Sequence, residues 1–166
     1  MPPSTSRRRF LAALGTTATA TLAGCSALTG SGDDPPAGSL RFENRHSVPH
    51  SIRVEVAGVG TAPGDGQGEV QGEPDPPVRE SQRTLTATGA VDPEETALYE
   101  RVFTAPVWYA VRFRLDGKRL EDGAGTVAFG PAPGDDERGS FLGAEVSETG
   151  EFTWVVTSTG NPGPFG

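Results

Sequence analysis

Lysine is almost missing from this chain: Lys118 stands alone against thirteen arginines. Cysteine and methionine occur once each, as Cys25 and Met1, and histidine twice, as His46 and His50. Each shortage excludes something. A single cysteine forbids an intrachain disulfide, so the fold rests on packing alone. A blue-copper centre takes two histidines, a thiolate and usually an axial methionine, and here the thiol and the thioether both sit at the N-terminus, far from any strand. Zinc sites generally need three or four protein ligands; His46 and His50 with Glu43 nearby could hold a metal on the turn, but there their spacing has no helical i, i+4 meaning. These histidines fall in the turn-rich stretch 44–49 and read as solvated loop side chains, with an accessory role in holding a metal or small solute as the alternative.

Catalytic patterns are also missing. There is no Gly-x-Ser-x-Gly elbow and no glycine-rich phosphate cradle ahead of a helix. The acidic clusters Asp33-Asp34, Gly64-Asp65-Gly66 and Asp135-Asp136-Glu137 lack the alternating spacing of a calcium loop. Carboxylates are so common that choosing two as a glycosidase pair would be arbitrary. The expectation is a protein that is not an enzyme and carries no cofactor.

What the chain does have begins at its first residues. Ser6, Arg7, Arg8, Arg9, Phe10 and Leu11 follow the pattern of a twin-arginine export motif. An apolar stretch from Phe10 to about Ala23 comes next, too short and too rich in Thr and Gly to remain as a span, which takes roughly 20 strongly apolar residues. Leu22, Ala23, Gly24 and Cys25 resemble a lipobox, in which cleavage precedes the cysteine and lipid is attached to its sulfur. The small Ala23 and Gly24 suit a site that enters a narrow protease groove in extended form. Residues 1–24 thus read as a signal peptide, and stable anchoring through Cys25 implies a two-chain lipid. The expected location is the outer face of the cell membrane.

Removing the leader takes away Arg7, Arg8 and Arg9 but no acid, leaving eleven basic side chains against 22 acidic ones, net −11. No cluster of bases in the remainder matches a run of phosphates, so nucleic acid is not an expected partner. Acid excess with so little lysine looks like a haloarchaeal protein, where dense carboxylates keep the surface hydrated and salt screens their repulsion.

Residues 25–38 form a lipidated cysteine and a polar Gly/Ser/Pro linker, the thirteen residues after Cys25 reaching at most about 45 Å. From Ser39 the hydrophobic period is two. Leu40 to Glu43 and Ile52 to Val56 alternate, as a hairpin or a sheet-crossing pair. Residues 58–82 read as a long Gly/Pro-rich loop, mobile or disordered. Thr84 to Thr88 is a short strand. Residues 92–103 suit a strand or a short helix, with strand preferred. Val107 to Leu115 is the strongest strand: Val107, Tyr109, Val111, Phe113 and Leu115 face a core, Arg112 and Arg114 face water, and Asp116-Gly117 turns the hairpin. Thr126 to Phe129 and a hairpin of Phe141 to Ser147 with Phe152 to Val156 follow. Trp154 and Val156 are expected in the core, and residues 159–166 are a tail. Trp108, on the face of Arg112 and Arg114, is a candidate carbohydrate- or protein-binding platform.

Eight or nine short strands within residues 39–158 imply an all-β, two-layer antiparallel β-sandwich. The segment from Phe103 through Pro106, Tyr109 and Val111 to Asp116-Gly117 resembles one found in immunoglobulin-like and cupredoxin-like domains of archaeal lipoproteins. That resemblance implies an immunoglobulin-like or cupredoxin-like fold, here without the copper ligands, and no activity. Together with the leader it points to a haloarchaeal, twin-arginine-exported lipoprotein. Its expected role is that of a non-catalytic binding or structural module at the cell surface, meeting an envelope protein.

Overall fold

The computed structural model describes residues 34–121, 123–133 and 137–166. The export motif (Ser6, Arg7, Arg8, Phe10, Leu11), the lipobox (Leu22, Ala23, Gly24) and Cys25 lie outside the described residues. Among those described, the chain is mostly β. In order come β1 (Leu40–Asn44), β2 (His50–Gly60), β3 (Ala62–Pro63), β4 (Val70–Gln71), one helical turn α1 (Glu80–Arg83), β5 (Thr86–Val91), β6 (Thr96–Tyr99), β7 (Trp108–Leu115), β8 (Lys118–Arg119), β9 (Thr126–Phe129), β10 (Gly139–Val146) and β11 (Phe152–Thr159).

Two sheets pack face to face in a β-sandwich-like arrangement. Sheet A runs β11-β10-β1-β6, and sheet B runs β5-β2-β7-β8 with β9 also on β7. The alternation read from sequence sets which side chains enter the core. Leu40 and Phe42 come from β1, Ile52 and Val54 from β2, Tyr109, Val111 and Phe113 from β7, and Leu142 and Val146 from β10; all are at most 2% exposed. Aromatic edges fill the core: Phe103 meets both Tyr109 and Phe129 with ring centroids 5.0 Å apart, and Phe113 of sheet B meets Phe152 of sheet A at 5.2 Å.

Two turns follow their sequence signals. Asp116 and Gly117 take φ of 50° and 75°, the left-handed pair of a two-residue hairpin, and set Leu115 opposite Lys118. Gly150, at φ 82°, closes the β10–β11 hairpin. Residues 92–95 close as a turn, Glu95 N–H donating to Asp92 O at 3.2 Å, so the following segment is strand β6 and not a helix.

Five features complete or correct the sequence reading. First, of the hairpin and the sheet-crossing pair left open for β1 and β2, the structure has the crossing: the chain passes from sheet A to sheet B between them. Second, sheet A is not purely antiparallel, since β1 lies parallel to β10 with Leu40 opposite Leu142. Third, the stretch 58–82 is a built element and not a plain loop. A bulge between Val56 and Gly58 shifts the register of β2, which places Gly58 and Gly60 opposite Ala110 and Trp108 on the outer face of sheet B. There the β3–β4 ribbon lies over them: a β-carbon at Gly60 would come within 2.9 Å of Gln71 N, so only glycine admits the ribbon. Fourth, β11 is an edge strand, so Val156 is 39% exposed and Trp154 only half-buried against the core. Fifth, the tail is tied down: Thr159 is buried, and Ala37 N–H donates to Asn161 O at 2.9 Å.

Candidate functional site

The strand directions give the sandwich two poles. Ala37, Gly38 and Asn161 mark the pole where the chain enters, hydrogen-bonded to one another and to the start of β10. β1 then runs away from it and delivers the 45–49 connection to the opposite pole. There Asn44, fully buried, holds the connection in place. Its side-chain N–H groups donate to Val48 O at 2.9 Å and Val91 O at 3.0 Å, and its Oδ1 accepts from His46 N at 3.0 Å. Sequence reading took Asn44 only as a turn residue, because nothing local signals that its amide bridges both sheets.

The two histidines are not solvated loop side chains. His46 Nδ1 lies 2.8 Å from His50 Nε2, and His50 Nδ1 lies 2.8 Å from Asp116 Oδ2. Asp116 Oδ1 accepts from Ser51 N at 2.9 Å, which fixes the carboxylate. The imidazole planes differ by 19° with centroids 5.1 Å apart. Rings stacked face to face keep their atoms about 3.5 Å apart or more. A nitrogen–nitrogen distance of 2.8 Å therefore means a nearly coplanar, end-to-end hydrogen bond. Burial raises the Asp116 carboxyl, but the Ser51 N–H, the hydrogen bond and charge of His50, and Lys118 outweigh it and hold Asp116 below its ordinary range. With both rings neutral, an ionised Asp116 sets the tautomers: His50 donates from Nδ1 and accepts at Nε2, and His46 donates from Nδ1 and keeps a lone pair on Nε2.

This line leaves one ring nitrogen of the pair uncommitted, His46 Nε2. Among the described residues, no three His, Cys, Asp or Glu side chains converge on a common point. A metal held by both histidines would have to displace one of His50's two partners, His46 or Asp116.

The second candidate is the outer face of sheet B. Strand pairing places Arg53 opposite Arg114, and Arg114 opposite Arg119, in one row across three strands. Arg112 sits on the same face one step along β7, opposite Glu55 on one side and Thr126 on the other. Glu55 is claimed by two of them, Arg53 Nε at 2.8 Å and Arg114 Nε at 3.5 Å. Arg112 and Arg119 are exposed and make no ion pair among the described residues. A groove of about 700 Å³ runs here, lined by Glu55, Arg112, Arg114, Arg119, Glu121 and Thr126. Its wall is steadied by the β3–β4 ribbon, whose Gln67 Nε2 donates to Gly123 O at 3.1 Å.

Trp108 does not join Arg112 and Arg114 in one platform. Its ring lies on Gly130, where a β-carbon would meet it at 3.0 Å, and the ribbon over Gly58 and Gly60 packs between it and the arginines. Burial of the intervening Ala110 to 9% marks that cover.

No protein-family model, curated protein or solved structure matches this chain.

Proposed function

We propose that this chain is an exported lipoprotein, held at the outer face of the cell membrane by lipid on Cys25, whose sandwich acts as a non-catalytic binding module. The reading places the sandwich in the immunoglobulin-like or cupredoxin-like class, lacking copper ligands, and in a high-salt setting where an acidic surface stays soluble. One observation carries the binding role. In a chain of net charge −8, the outer face of sheet B gathers four arginines, of which Arg53 and Arg114 share Glu55 and Arg112 and Arg119 make no ion pair among the described residues. Like charges directly opposite on neighbouring strands destabilise a sheet. Keeping Arg53, Arg114 and Arg119 in one row has a cost that an external anion offsets.

The leader supports the address. Arg7 and Arg8 with Phe10 and Leu11 fit an export motif, and Cys25 precedes the first described residue, Asp34, by nine positions. The test is fractionation of cells expressing the full chain. Cys25→Ser should move the protein out of the membrane fraction, and replacing Arg7 and Arg8 with lysine should keep the precursor inside. Membrane retention of a processed Cys25→Ser protein would refute the anchor. The alternative of metal or solute binding through His46 and His50 is tested by titrating zinc or copper into the protein. Tight uptake abolished by His46→Ala would favour it over the arginine face.

A further inference from the structure

We infer that the free edge of β11 joins two copies of this chain, antiparallel, into one continuous sheet across a two-fold axis. β11 is the last strand of sheet A and pairs only with β10. Leu142 N–H donates to Ser39 O, and Val146 O accepts from Arg45 N. The even-numbered residues of β10 thus turn their backbone groups to β1, and the odd-numbered ones turn to β11. Gly143 lies opposite Val155 in that ladder, so the N–H and C=O of Phe152, Trp154, Val156 and Ser158 point off the sheet, with no backbone partner among the described residues. Soluble proteins guard such an edge with charge, proline, a bulge or a short length. β11 has eight residues without a charge or a proline, in unbroken register with β10. The other edges are short or interrupted: β6 and β9 have four residues each, β8 is Lys118–Arg119, and Gly89 stands inside β5.

Burial singles out the same strand. Val156 lies directly opposite Leu142 and shares its inner face, yet Leu142 is sealed and Val156 is 39% exposed. Val155, on the outer face, is 50% exposed. An inward-facing valine left open needs cover from beyond the edge, and the strand's own symmetry supplies it. The outward backbone groups belong to even-numbered residues, so an antiparallel copy pairs even with even, and centring on Val155 pairs all four. Trp154 then lies opposite Val156 of the second copy, Thr153 opposite its Thr157, and Val155 opposite its Val155. Aromatic with β-branched residues, and threonine with threonine, are favourable cross-strand pairs. Glu151, the acid next to the strand, falls at opposite ends of the pairing, about 27 Å from its counterpart and beyond the reach of screened charge. A chain of net charge −8 thus meets itself along a strand that carries none. Both β11 edges are consumed, so the assembly closes at two.

Sedimentation equilibrium of the full chain in molar salt tests this, with Cys25→Ser so that no lipid on that thiol drives association. A dimer in exchange with monomer is expected. Val155→Lys sets two like charges on the two-fold axis and should shift the protein to monomer. Val155 is half-exposed, so the variant should keep its fold, which circular dichroism verifies. Val48→Lys, at a valine 45% exposed on the 45–49 connection, should leave the dimer unchanged. Register is read by cross-linking in the same background. Val155→Cys meets its own copy at a non-hydrogen-bonded position, where Cα atoms stand about 4.5 Å apart, and should form a disulfide on oxidation. Thr153→Cys, about 14 Å from its counterpart, should not. A monomer at every concentration would leave the edge to an extended segment of another protein and overturn the inference. A dimer that survives Val155→Lys, dissociates equally with Val48→Lys, or cross-links as well through Thr153→Cys would place the contact elsewhere and overturn it too.

Discussion

The outer faces of the two sheets handle charge in opposite ways. On sheet A, Glu43 and Glu145 are neighbours across the parallel β1–β10 pair, and Arg45 bridges them at 2.7 and 3.3 Å, with Arg41 on Glu43 at 3.4 Å. Two acids and two bases cancel, and the Arg45 guanidinium, hydrogen-bonded to Glu43, is held above its ordinary range. On sheet B, Arg53 and Arg114 share Glu55, and Arg112 and Arg119 make no ion pair among the described residues. The same local pattern of alternating charge thus gives a self-neutralised wall on one side and, among the described residues, a groove with more arginines than paired acids on the other. The difference teaches that a sheet face's charge is set by which strands become neighbours. Both sheets set like charges side by side, Glu43 with Glu145 on sheet A and Arg53 with Arg114 on sheet B; two bases answer the acids of sheet A, and one glutamate bridges two of the arginines of sheet B.

The largest effect separates the two faces of a single strand. Phe113, 2% exposed and with its ring 5.2 Å from that of Phe152, lies between Arg112 and Arg114 but on the inner side of sheet B. Phe113→Ala should cost about 3–5 kcal/mol by leaving a cavity. Arg112→Ala should change stability by less than about 0.5 kcal/mol. Equilibrium unfolding of both in one high-salt buffer checks the contrast; equal losses would show that the outer face is structural and not held for a ligand.

Next is the attachment of the 58–82 segment, which walls the cationic groove. Gln82 Oε1 accepts from Thr104 N and from the Tyr109 hydroxyl, each at 2.7 Å, and its Nε2 donates to Val102 O at 3.1 Å. Burial raises the Tyr109 phenol above its ordinary range, and without Gln82 its hydroxyl is left with Ala105, whose N–H lies at 3.0 Å and whose O lies at 3.3 Å. Gln82→Ala should lose about 0.5–1.5 kcal/mol in denaturant melts. A neutral outcome would mean the segment is a passenger on sheet B.

A smaller effect concerns acid. The Asp116 carboxyl is held below its ordinary value of 3.8, so its interactions with Ser51 and His50 stabilise the fold above that value. The contribution is lost as pH falls below 3.8 through the lower folded-state value. Asp116 is 46% exposed, so solvent screening keeps the effect modest. Asp116→Asn should flatten the acid limb of the stability profile below pH 3.8, as denaturant melts across that range would show.

The smallest effect tests the charge contrast itself. Arg119→Ala removes a like-charge neighbour of Arg114 and should raise stability by about 0.2–1 kcal/mol in dilute buffer. Glu43→Gln on sheet A should lower it by a similar amount, since it leaves Arg41 and Arg45 facing each other with less acid between them. Thermal melts repeated in molar salt should show both differences shrink. The same sign on both sheets would break the comparison.

Much of this was legible beforehand, and the reasons are physical. A side-chain period of two fixes which residues enter a core wherever one face is buried, so Tyr109, Val111 and Phe113 declared themselves without any partner strand. Asp116-Gly117 named its own turn, because few residue pairs tolerate two successive positive φ angles. Chemical shortages and net charge are likewise properties of the chain in any conformation. Other features depend on residues far apart in sequence meeting in space. His50 and Asp116 are separated by 66 positions, and neither carries a local mark of the other. Arg53, Arg114 and Arg119 look like ordinary outward residues until strand order sets them side by side. Gly58 and Gly60 looked like loop composition until a bulge turned them outward beneath the ribbon. The sequence by itself determined the alternation, the turns and the ligand-poor chemistry, since each is written within a few consecutive residues. Only the tertiary structure decided the histidine–aspartate line and the arginine row, because strand neighbours are chosen by the packing of the whole core.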